Sequence, residues 1–392
     1  MKPHAEIAGA GFGGLVAAVA LAQRGWSVRV HERTPAIRAE GFAIAMQPNM
    51  LRVLESLGLR EEILRGGLLI VRRETRDEKN NVTMALRNQG AHRVSRQHIV
   101  NVLAQRAMQL GVDVRAESAV AGADPSGELI LASGERLRAD LVIGADGVNS
   151  AVRDSLGLLA RRRVTGDGAT RVMIPRTAEE VAEDDTLGPL TCEYWSGTRR
   201  VITSPCSRDE MYAVMSCLAS DERARAVPID VESWSASFPH LASLFERMRT
   251  QAEWPRVKWS PFETMRLHAW SKGRVAVLGD AAHSMTPNLG QGTGCAMMTA
   301  LALAASVDAS GDITGSLREW ERRERPLIEH TQRWSSLYGH VTVWPQALRS
   351  LAFRALGSVG WLRRQYQRTA QHIPTGYSPD GTGGLPARRT AP

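Results

Sequence analysis

The glycines near the N-terminus constrain the fold of this chain more than any other feature. Gly9, Gly11 and Gly14 stand at the spacing G-x-G-x-x-G, with Gly13 beside the last of them. In a strand–turn–helix unit, the first glycine permits a tight turn, and the second lets the backbone approach a pyrophosphate. The third allows the helix to pack closely on the strand. Because a helix N-terminus also offers free N–H groups to phosphate, the spacing predicts a seat for a dinucleotide.

The residues around these glycines have the pattern that such a seat requires. Residues 5–8 predict a short buried strand, residues 15–24 an alanine-rich helix, and residues 27–32 a second strand. Glu32 ends the second strand, where a carboxylate accepts hydrogen bonds from ribose hydroxyls, and Arg33 follows as a further candidate. A glycine-rich turn with an ordinary strand-end glutamate is the structural alternative. The combination of strand, helix and acid favours the dinucleotide.

The chain carries one such fingerprint. An enzyme with two resident dinucleotides would carry a second. The single fingerprint therefore favours a tightly but non-covalently bound FAD, with NADH or NADPH as a transient reductant, over a simple dehydrogenase.

Two further glycine-containing motifs follow apolar runs later in the chain. Residues 144–150 read Gly-Ala-Asp-Gly-Val-Asn-Ser and include Asp146, and residues 279–292 begin Gly-Asp-Ala-Ala-His and end Gly-Gln-Gly. Asp280 would lie between a strand and a helix start, where its carboxylate can bind hydroxyl groups and the helix can stabilise negative charge. Taken alone, Asp280 is also explained as a helix cap, and Asp146 as a turn residue with Ser150 as the cap. Together, the motifs indicate one cofactor held by both ends of the chain.

In order and spacing, the three motifs resemble those of the single-component flavoprotein aromatic hydroxylases, the para-hydroxybenzoate hydroxylase class, over residues 5 to about 330. The resemblance implies an α/β fold, with a Rossmann-like FAD-binding domain of the GR2-type flavoproteins, a β-sheet substrate domain and C-terminal helices. It also implies that Asp280 contacts the ribityl chain, that the loop from Pro287 lies beside the flavin ring, and that Arg96 reaches the cofactor. A solvated arginine at a helix start is the alternative for Arg96. The resulting candidates for cofactor binding are Gly9, Gly11, Gly13, Gly14, Glu32, Arg33, Arg96, Asp146, Asp280, Pro287, Gly290, Gln291 and Gly292.

The hydrophobic pattern predicts two domains and a tail. Residues 1–164 would form the first part of the FAD-binding domain, and residues 266–374 its completion and the C-terminal helices. Residues 165–265 contain short β-like runs separated by turns, which predict a mostly antiparallel sheet for the substrate. Residues 375–392 are rich in glycine, proline and arginine, which predicts a disordered tail.

Within the family, the chain resembles most closely the branch that hydroxylates and opens hydroxypyridine carboxylates. The shared stretches are residues 49–55, 204–206 and 291–297, and Gly294 stands where most of the wider family has asparagine. This resemblance favours an N-heteroaromatic acid as substrate. Hydroxylation of a benzenoid acid such as salicylate is the alternative within the same class.

The same resemblance implies that Arg200 and Tyr212 hold the substrate, with Pro287 beside it. A hairpin centred near Cys206 would place Arg200 opposite Tyr212 on one face of the sheet. There a guanidinium binds a carboxylate, and a phenol hydrogen-bonds a ring oxygen or nitrogen. A surface arginine and a packing tyrosine are the alternative. The branch has aromatic residues where this chain has Arg73 and Ala45, so Arg73 would either bind an additional anionic group or point into solvent.

Composition argues against several classes of function. Only four of the 49 basic residues are lysine, and the arginines are scattered rather than gathered in a stripe, so we expect no nucleic-acid binding. The net charge of +8 favours anionic substrates instead. The four cysteines lack the paired spacing of a metal site or a disulfide scaffold, so no metal is expected and a cytoplasmic location fits. The long apolar stretch at residues 296–307 is too short to span a bilayer.

These expectations combine into an FAD-dependent monooxygenase. It would use NAD(P)H and O2 to hydroxylate a small aromatic acid of the hydroxypyridine carboxylate type, with or without ring opening. Arg200 and Tyr212 are the catalytic candidates, and His283 is expected to be structural because no partner for a proton relay is visible. A non-catalytic, flavin-binding redox sensor is the alternative of another class. We expect a monomer or a homodimer.

Overall fold

The computed structural model describes residues 2–38, 41–308 and 311–379 of the 392-residue chain. Within these ranges the strands form sheets of six, eight and three strands. In chain order the strands are β1 (His4–Ala8), β2 (Ser27–His31), β3 (Ala43–Met46), β4 (Leu68–Arg76), β5 (Val82–Ser95), β6 (Asp113–Arg115), β7 (Val120–Asp124), β8 (Glu128–Leu131), β9 (Arg136–Arg138), β10 (Leu141–Gly144), β11 (Leu159–Pro175), β12 (Leu190–Ser196), β13 (Arg199–Pro205), β14 (Glu210–Leu218), β15 (Ser260–Leu267), β16 (Ser271–Lys272) and β17 (Val275–Val277).

Helices cover the sheets and connect their strands. They are α1 (Phe12–Gln23), α2 (Pro48–Ser56), α3 (Arg60–Leu64), α4 (Arg96–Gln109), α5 (Ala151–Ser155), α6 (Ala178–Leu187), α7 (Val231–Ser237), α8 (Ala242–Gln251), α9 (Asp280–His283), α10 (Gly292–Asp308), α11 (Ile313–His340), α12 (Gln346–Ser358) and α13 (Gly360–Gln367).

The six-stranded sheet has the order β16-β17-β10-β1-β2-β6 and carries the glycine turn. Its strands are parallel except β16, which lies antiparallel to β17 at one edge. Ala5, Ile7 and Ala8 of β1 are fully buried, because helices cover both faces of a parallel sheet. Helix α1 is buried from Gly13 to Leu21 and packs against α4 and α10, which explains its alanine-rich sequence. The predicted strand–turn–helix–strand unit and the α/β fold are confirmed.

The eight-stranded sheet has the order β15-β11-β14-β13-β12-β4-β5-β3 and is antiparallel except between β12 and β4. It joins β12, β13 and β14 to strands from much earlier in the chain. Strand β11 runs across position 164, where the first predicted domain boundary lies. The predicted division of the chain into domains stays a prediction. Helices α7 and α8 cover one face with the fully buried rings of Trp234, Phe238 and Phe245.

Helices α10 and α11 connect the two sheets. Helix α10 is mostly apolar, and Trp320 of α11 donates from Nε1 to the Thr299 carbonyl oxygen at 2.9 Å. Tyr338, near the end of α11, reaches β12. No helix in the described ranges combines the length and the hydropathy needed to cross a membrane.

The predicted disordered tail begins in packed structure. Thr375 Oγ1 donates to Glu324 at 2.8 Å, and the Tyr377 hydroxyl donates to Glu55 at 2.7 Å. The prediction of disorder is therefore wrong for this first part, because its polar side chains find carboxylate acceptors on α11 and α2. Residues 380–392, the rest of the predicted tail, lie outside the described residues.

Candidate active site

The glycine turn after β1 is closed on one side and open on the other. Gly9 has a φ of +98°, and a Cβ there would collide with the carbonyl oxygen of Ala145, in the motif at residues 144–150. A Cβ on Gly14 would collide with the Gly9 carbonyl oxygen. On Gly11, by contrast, a Cβ would meet nothing within 4 Å. The turn is thus held by close backbone packing, while its open side lets a phosphate approach the main chain.

Glu32 directly follows β2, and its carboxylate reaches back to the glycine turn. Its Oε2 accepts from the Ala10 N–H at 3.1 Å. Its Oε1 accepts from the Thr34 N–H at 3.0 Å and from the Thr34 hydroxyl at 2.8 Å. These bonds fix a carboxylate at the edge of the turn, where a ribose would lie. Arg33 is exposed, and its predicted contact with the cofactor stays a prediction, as does that of Glu32.

A buried arginine ties the Asp-Gly motif after β10 to the motif at residues 279–292, which we call the second signature. Asp146 accepts from the Ser150 hydroxyl at 2.6 Å and from the Val152 N–H at 3.2 Å, so its carboxylate supports the start of α5. Ser150 caps that helix by accepting from the Arg153 N–H, as the structural alternative predicted. The Arg153 guanidinium donates to the carbonyl oxygens of Val148 at 2.9 Å and Ala281 at 3.4 Å. Asp146 thus supports this turn, and direct contact with the cofactor stays a prediction.

The second signature begins where β17 ends. Gly279 takes a φ of +64°, and Asp280 opens the short helix α9. The Asp280 side chain is accessible to solvent but lies in a deep cleft. The pKa of this carboxyl is raised, because desolvation by the surrounding protein outweighs the opposing charge of Arg96. A Cβ on Gly13 would come within 2.6 Å of the side chain of Leu278, so the glycine turn packs against the residue that directly precedes the second signature.

The loop after α9 is shaped by a buried amide pair. Gly290 takes the left-handed conformation with a φ of +63°, and Gln291 turns inward. Gln291 Oε1 accepts from Asn49 Nδ2 at 2.9 Å, while Gln291 Nε2 is buried with no partner among the described residues. A Cβ on Gly294 would lie 2.9 Å from Asn49 Nδ2. The glycine at 294 therefore leaves the space that the Asn49 amide occupies.

Arg96 lies between the glycine turn and Asp280 of the second signature. Its guanidinium carbon lies 4.8 Å from the centre of the Phe12 ring at the glycine turn, and its charge acts on Asp280. The glycine turn offers an open backbone at Gly11, and the cleft beside Arg96 offers the carboxylate of Asp280 and the buried Gln291 Nε2, which has no partner among the described residues. These donors and acceptors fit FAD, whose pyrophosphate would lie at Gly11 and whose ribityl chain would lie at Asp280. Arg96 is therefore not the solvated arginine of the alternative interpretation.

A cavity of about 1330 Å³ lies between the second signature and the eight-stranded sheet. It brings together all four predicted substrate residues, Arg73, Arg200, Tyr212 and Pro287, and cofactor candidates of the second signature. The predicted residues that line it are Arg73, Arg96, Arg200, Tyr212, Asp280, Pro287, Gly290, Gln291 and Gly292. The predicted residues outside its lining surround the glycine turn and are Gly9, Gly11, Gly13, Gly14, Glu32, Arg33 and Asp146.

The predicted pairing of Arg200 with Tyr212 is wrong, although the two side chains share a face. In the β13–β14 hairpin, Arg200 lies opposite Ser216, and Tyr212 lies opposite Ser204. The turn is centred two residues later than predicted, because β13 continues to Pro205. Successive side chains of a strand point to opposite faces of the sheet. A shift of two residues therefore changes which residues lie opposite each other, but Arg200 and Tyr212 stay on the same face.

A buried carboxylate neighbours the predicted substrate arginines. Glu193 of β12 is 2% exposed and accepts from the Tyr338 hydroxyl at 3.0 Å. Arg200 Nη1 lies 3.4 Å from Glu193 Oε1, and Arg73 Nη2 lies 3.6 Å from Glu193 Oε2. The Arg200 guanidinium also stacks on the Trp195 ring at 5.1 Å. Arg73 and Arg200 thus share one counter-ion, and Arg73 does not point freely into solvent.

The wall of the cavity contains a buried cationic residue that the sequence did not indicate. Arg93 of β5 is 8% exposed and donates from Nε to Ser204 Oγ at 3.1 Å. Its guanidinium carbon lies 5.5 Å from the centre of the Tyr212 ring. Two strands lie between β5 and β13, so this contact exists because the sheet curves around the cavity. A strand pattern does not show such curvature, and Arg93 carried no local signal.

His283 is structural, as expected. Its ring is 2% exposed, packs 5.3 Å from the Trp270 ring, and has no hydrogen-bond partner among the described residues. Burial lowers its pKa to about 4. The imidazole is therefore neutral near neutral pH and fills the apolar core beneath the second signature.

Comparison with known proteins agrees with this arrangement. The protein family described as "FAD binding domain" matches residues 4–310, which is well over half of the chain. The chain belongs to this family. Its proteins bind FAD, as the open glycine turn and Asp280 indicate for this chain, and its characterised relatives are FAD-dependent aromatic monooxygenases. The chain is therefore an enzyme of this class, and the alternative of a non-catalytic redox sensor is set aside.

Three relatives match nearly the full length. "Putative 2-heptyl-3-hydroxy-4(1H)-quinolone synthase AqdB1" of Rhodococcus erythropolis is 39% identical over 378 residues, covering 95% of this chain and 97% of that protein. A 2-heptyl-3-hydroxy-4(1H)-quinolone synthase of Mycobacteroides abscessus is 37% identical over 361 residues, covering 90% and 94%. The solved structure of the tetrameric form of 2-methyl-3-hydroxypyridine-5-carboxylic acid oxygenase is 36% identical, with a TM-score of 0.84 and coverage of 96% and 99%.

Proposed function

We propose that this enzyme hydroxylates an N-heteroaromatic acid of the hydroxypyridine carboxylate type, with NADH or NADPH as reductant and O2 as oxidant. Bound FAD supplies the redox and oxygen chemistry, and the protein supplies binding, orientation and exclusion of water. A cytoplasmic setting provides the reductant and suits the four buried free thiols at Cys192, Cys206, Cys217 and Cys295.

The excess of positive charge in the cavity carries this proposal. Arg93 and Arg200 are buried in its wall and Arg73 is partly buried, whereas Glu193 is the one buried carboxylate of the lining within the described residues. A buried cation without a full counter-ion is costly unless an anion pairs with it. An aromatic ring that carries a carboxylate or an ionised hydroxyl would supply that charge.

The opposite wall would hold the ring near the flavin. Pro287 and Gly292 belong to the second signature, and Tyr212 of the eight-stranded sheet lines the same cavity. The phenol can hydrogen-bond a ring nitrogen or an oxygen substituent, and the arginines orient the acid group. In this proposal, Arg73, Arg200, Tyr212 and Pro287 contact the substrate.

The test is substrate-stimulated NAD(P)H oxidation by the FAD-loaded protein. The panel contains 2-methyl-3-hydroxypyridine-5-carboxylate, 6-hydroxynicotinate and salicylate, and each reaction is run under ¹⁸O2 with mass spectrometry of the products. We expect faster oxidation and one ¹⁸O atom in the ring product with a pyridine acid. A gain of two oxygen atoms with loss of the aromatic ring would indicate ring opening. Stimulation by salicylate alone would favour the benzenoid alternative, and no stimulation by any aromatic acid would contradict the proposal.

A second candidate is a neutral quinolone with an alkyl chain. Two relatives are named as 2-heptyl-3-hydroxy-4(1H)-quinolone synthases, and many apolar side chains line the cavity. The larger ones include Ile44, Ile70, Met173, Ile174, Ile202, Val214, Phe262 and Leu289. Adding 2-heptyl-4(1H)-quinolone to the panel separates the two, because the acid-binding account predicts weaker stimulation by this neutral ring.

A further inference from the structure

Arg93 differs from the other arginines of the cavity in what surrounds its charge. It lies opposite Ala45 of β3, and its guanidinium crosses the concave face of the sheet towards β13. Its side chain is more than nine-tenths buried and lines the cavity. It makes no ion pair with any carboxylate of the described residues.

The contacts of Arg93 leave most of its donors available. A guanidinium carries five N–H donors, and the one at Nε goes to Ser204 Oγ. The hydroxyl of Ser204 is held in turn by Thr191 Oγ1 at 2.7 Å. On the other side, the guanidinium lies over the Tyr212 ring. The two terminal nitrogens of Arg93 donate to no residue that the structure describes, so they remain able to bind a planar anion in the cavity.

The charges near Arg93 also differ from those near its neighbours. Arg200 and Arg73 both face Glu193, whereas the groups that act on Arg93 are Tyr212, the Cys206 thiol and the like charge of Arg73. Burial, with a smaller contribution from Arg73, lowers the pKa of Arg93. In the protein without ligand, Arg93 is thus a desolvated cation whose counter-ion is missing.

We propose that Arg93 is the principal partner of the anionic group of the substrate, supported by Ser204 and Tyr212, whereas Arg200, which is held by Glu193, contacts the substrate without being its main counter-ion. The ligand group is a carboxylate or an ionised ring hydroxyl. Either can accept charge-assisted hydrogen bonds from the terminal nitrogens of Arg93, the carboxylate through both of its oxygens. This assignment rests on the proposed function, and it moves the principal anion contact from β13 to β5.

The energetic expectation follows from burial. A charge-assisted hydrogen bond contributes about 10- to 100-fold in affinity, and more than one can form at a guanidinium. Because the ligand also relieves an unpaired buried charge, removal of that charge should weaken acid binding without destabilising the ligand-free fold. A purely structural arginine would show the reverse behaviour.

The experiment compares Arg93→Gln, Arg93→Lys and the parent, with Arg318→Gln as a matched control at an exposed position on α11. The probes are 6-hydroxynicotinate and its neutral amide, 6-hydroxynicotinamide. Binding to the FAD-loaded protein is followed by the change in the flavin absorbance spectrum, and the thermal midpoint is measured without probe.

For the acid, we expect Arg93→Gln to raise the Kd by about 10- to 100-fold and Arg93→Lys to restore part of the loss. For the amide, the change should be less than about threefold, and the thermal midpoint of Arg93→Gln should not fall. Arg318→Gln should match the parent throughout. Equal loss of acid and amide binding, or an unchanged Kd for the acid in Arg93→Gln, would overturn the assignment.

The two proposals fail in different ways. If the parent binds the acid through Arg93 but NAD(P)H oxidation is not stimulated, the Arg93 assignment stands and the proposed function fails. If a pyridine acid is hydroxylated and Arg93→Gln binds it as the parent does, the proposed function stands and the Arg93 assignment fails. If the parent binds no aromatic acid, both are overturned.

Discussion

Each of the two large sheets contains one deeply buried glutamate, and the two are paired very differently. Glu6 of β1 is 1% exposed and accepts from His31 and His4, each at 2.8 Å, with Arg29 at 3.1 Å. Glu193 of β12 is 2% exposed and has its nearest guanidinium nitrogens at 3.4 and 3.6 Å. The first cluster is tight, and the second is loose.

In our proposal, the difference separates a cluster that stabilises the fold from a cluster that serves substrate binding. Two of the three groups that contact Glu6 are imidazoles, and the third, Arg29, has a second acid in Asp113 at 3.0 Å. Around Glu193 the cations are arginines, which stay charged, and they line the cavity together with Arg93. Loose pairing and surplus charge are what a site for an anion requires before the anion binds.

The largest effect should come from Glu193→Gln. It removes the single counter-ion shared by Arg73 and Arg200, so we expect a loss of about 3–5 kcal/mol in the free energy of unfolding, measured with urea. A saturating aromatic acid should raise the thermal midpoint of this variant more than that of the parent, because the ligand replaces the missing charge. Glu319→Gln, at an exposed pair with Arg322, is the control and should be neutral. A neutral Glu193→Gln would show that this cluster does not hold the arginines.

Glu6→Gln should cost less, about 1–3 kcal/mol, despite its shorter hydrogen bonds. The amide keeps hydrogen-bonding groups in reach of both imidazoles, and Arg29 keeps its ion pair with Asp113. Activity with any substrate of the parent should change little once the variant is folded, since β1 lies away from the cavity lining. A stability loss that exceeds that of Glu193→Gln would reverse the comparison between the two clusters.

Tyr338→Phe should have a smaller effect, about 1 kcal/mol in the free energy of unfolding, because it removes one hydrogen bond to Glu193. Tyr377→Phe makes the same chemical change at the Glu55 contact near the surface and serves as the control. Equal effects in the two variants would mean that burial of Glu193 does not strengthen its bonds.

The smallest effect concerns pH. Burial raises the pKa of Glu6, but the hydrogen bonds from His31 and His4 and the charge of Arg29 together bring it below the usual value. A lowered folded-state pKa stabilises the fold above the unfolded pKa, and this contribution is lost as the pH falls through the lowered value. The stability difference between the parent and Glu6→Gln should therefore be constant above about pH 5 and shrink below about pH 4. A difference that grows as the pH falls would contradict this sign.

The nucleotide end of the site was predictable because its determinants are local. Gly9, Gly11 and Gly14 act through backbone geometry over six residues, and Glu32 follows at the end of the next strand. The second signature was found for the same reason. The contact of Gly13 with Leu278, which brings the signatures together, is a tertiary fact that no local pattern contains.

The substrate end was predicted only in part, because its geometry depends on register and curvature. Tyr212 and Arg200 were placed on the correct face, but a two-residue shift of the turn changed their partners. Arg93 and Ser204 come from strands separated by two others, and only the curvature of the sheet brings them within hydrogen-bonding distance. An isolated arginine in a strand usually lies at the surface, so its burial was not visible in the sequence.

The most direct test of the central claim is a crystal structure of the FAD-loaded enzyme with 6-hydroxynicotinate. We predict the pyridine ring between Tyr212 and the loop that begins at Pro287, with its carboxylate within hydrogen-bonding distance of Arg93 and the Arg200–Glu193 pair retained. A carboxylate bound to Arg200 with Glu193 displaced, or an acid bound outside this cavity, would contradict the account.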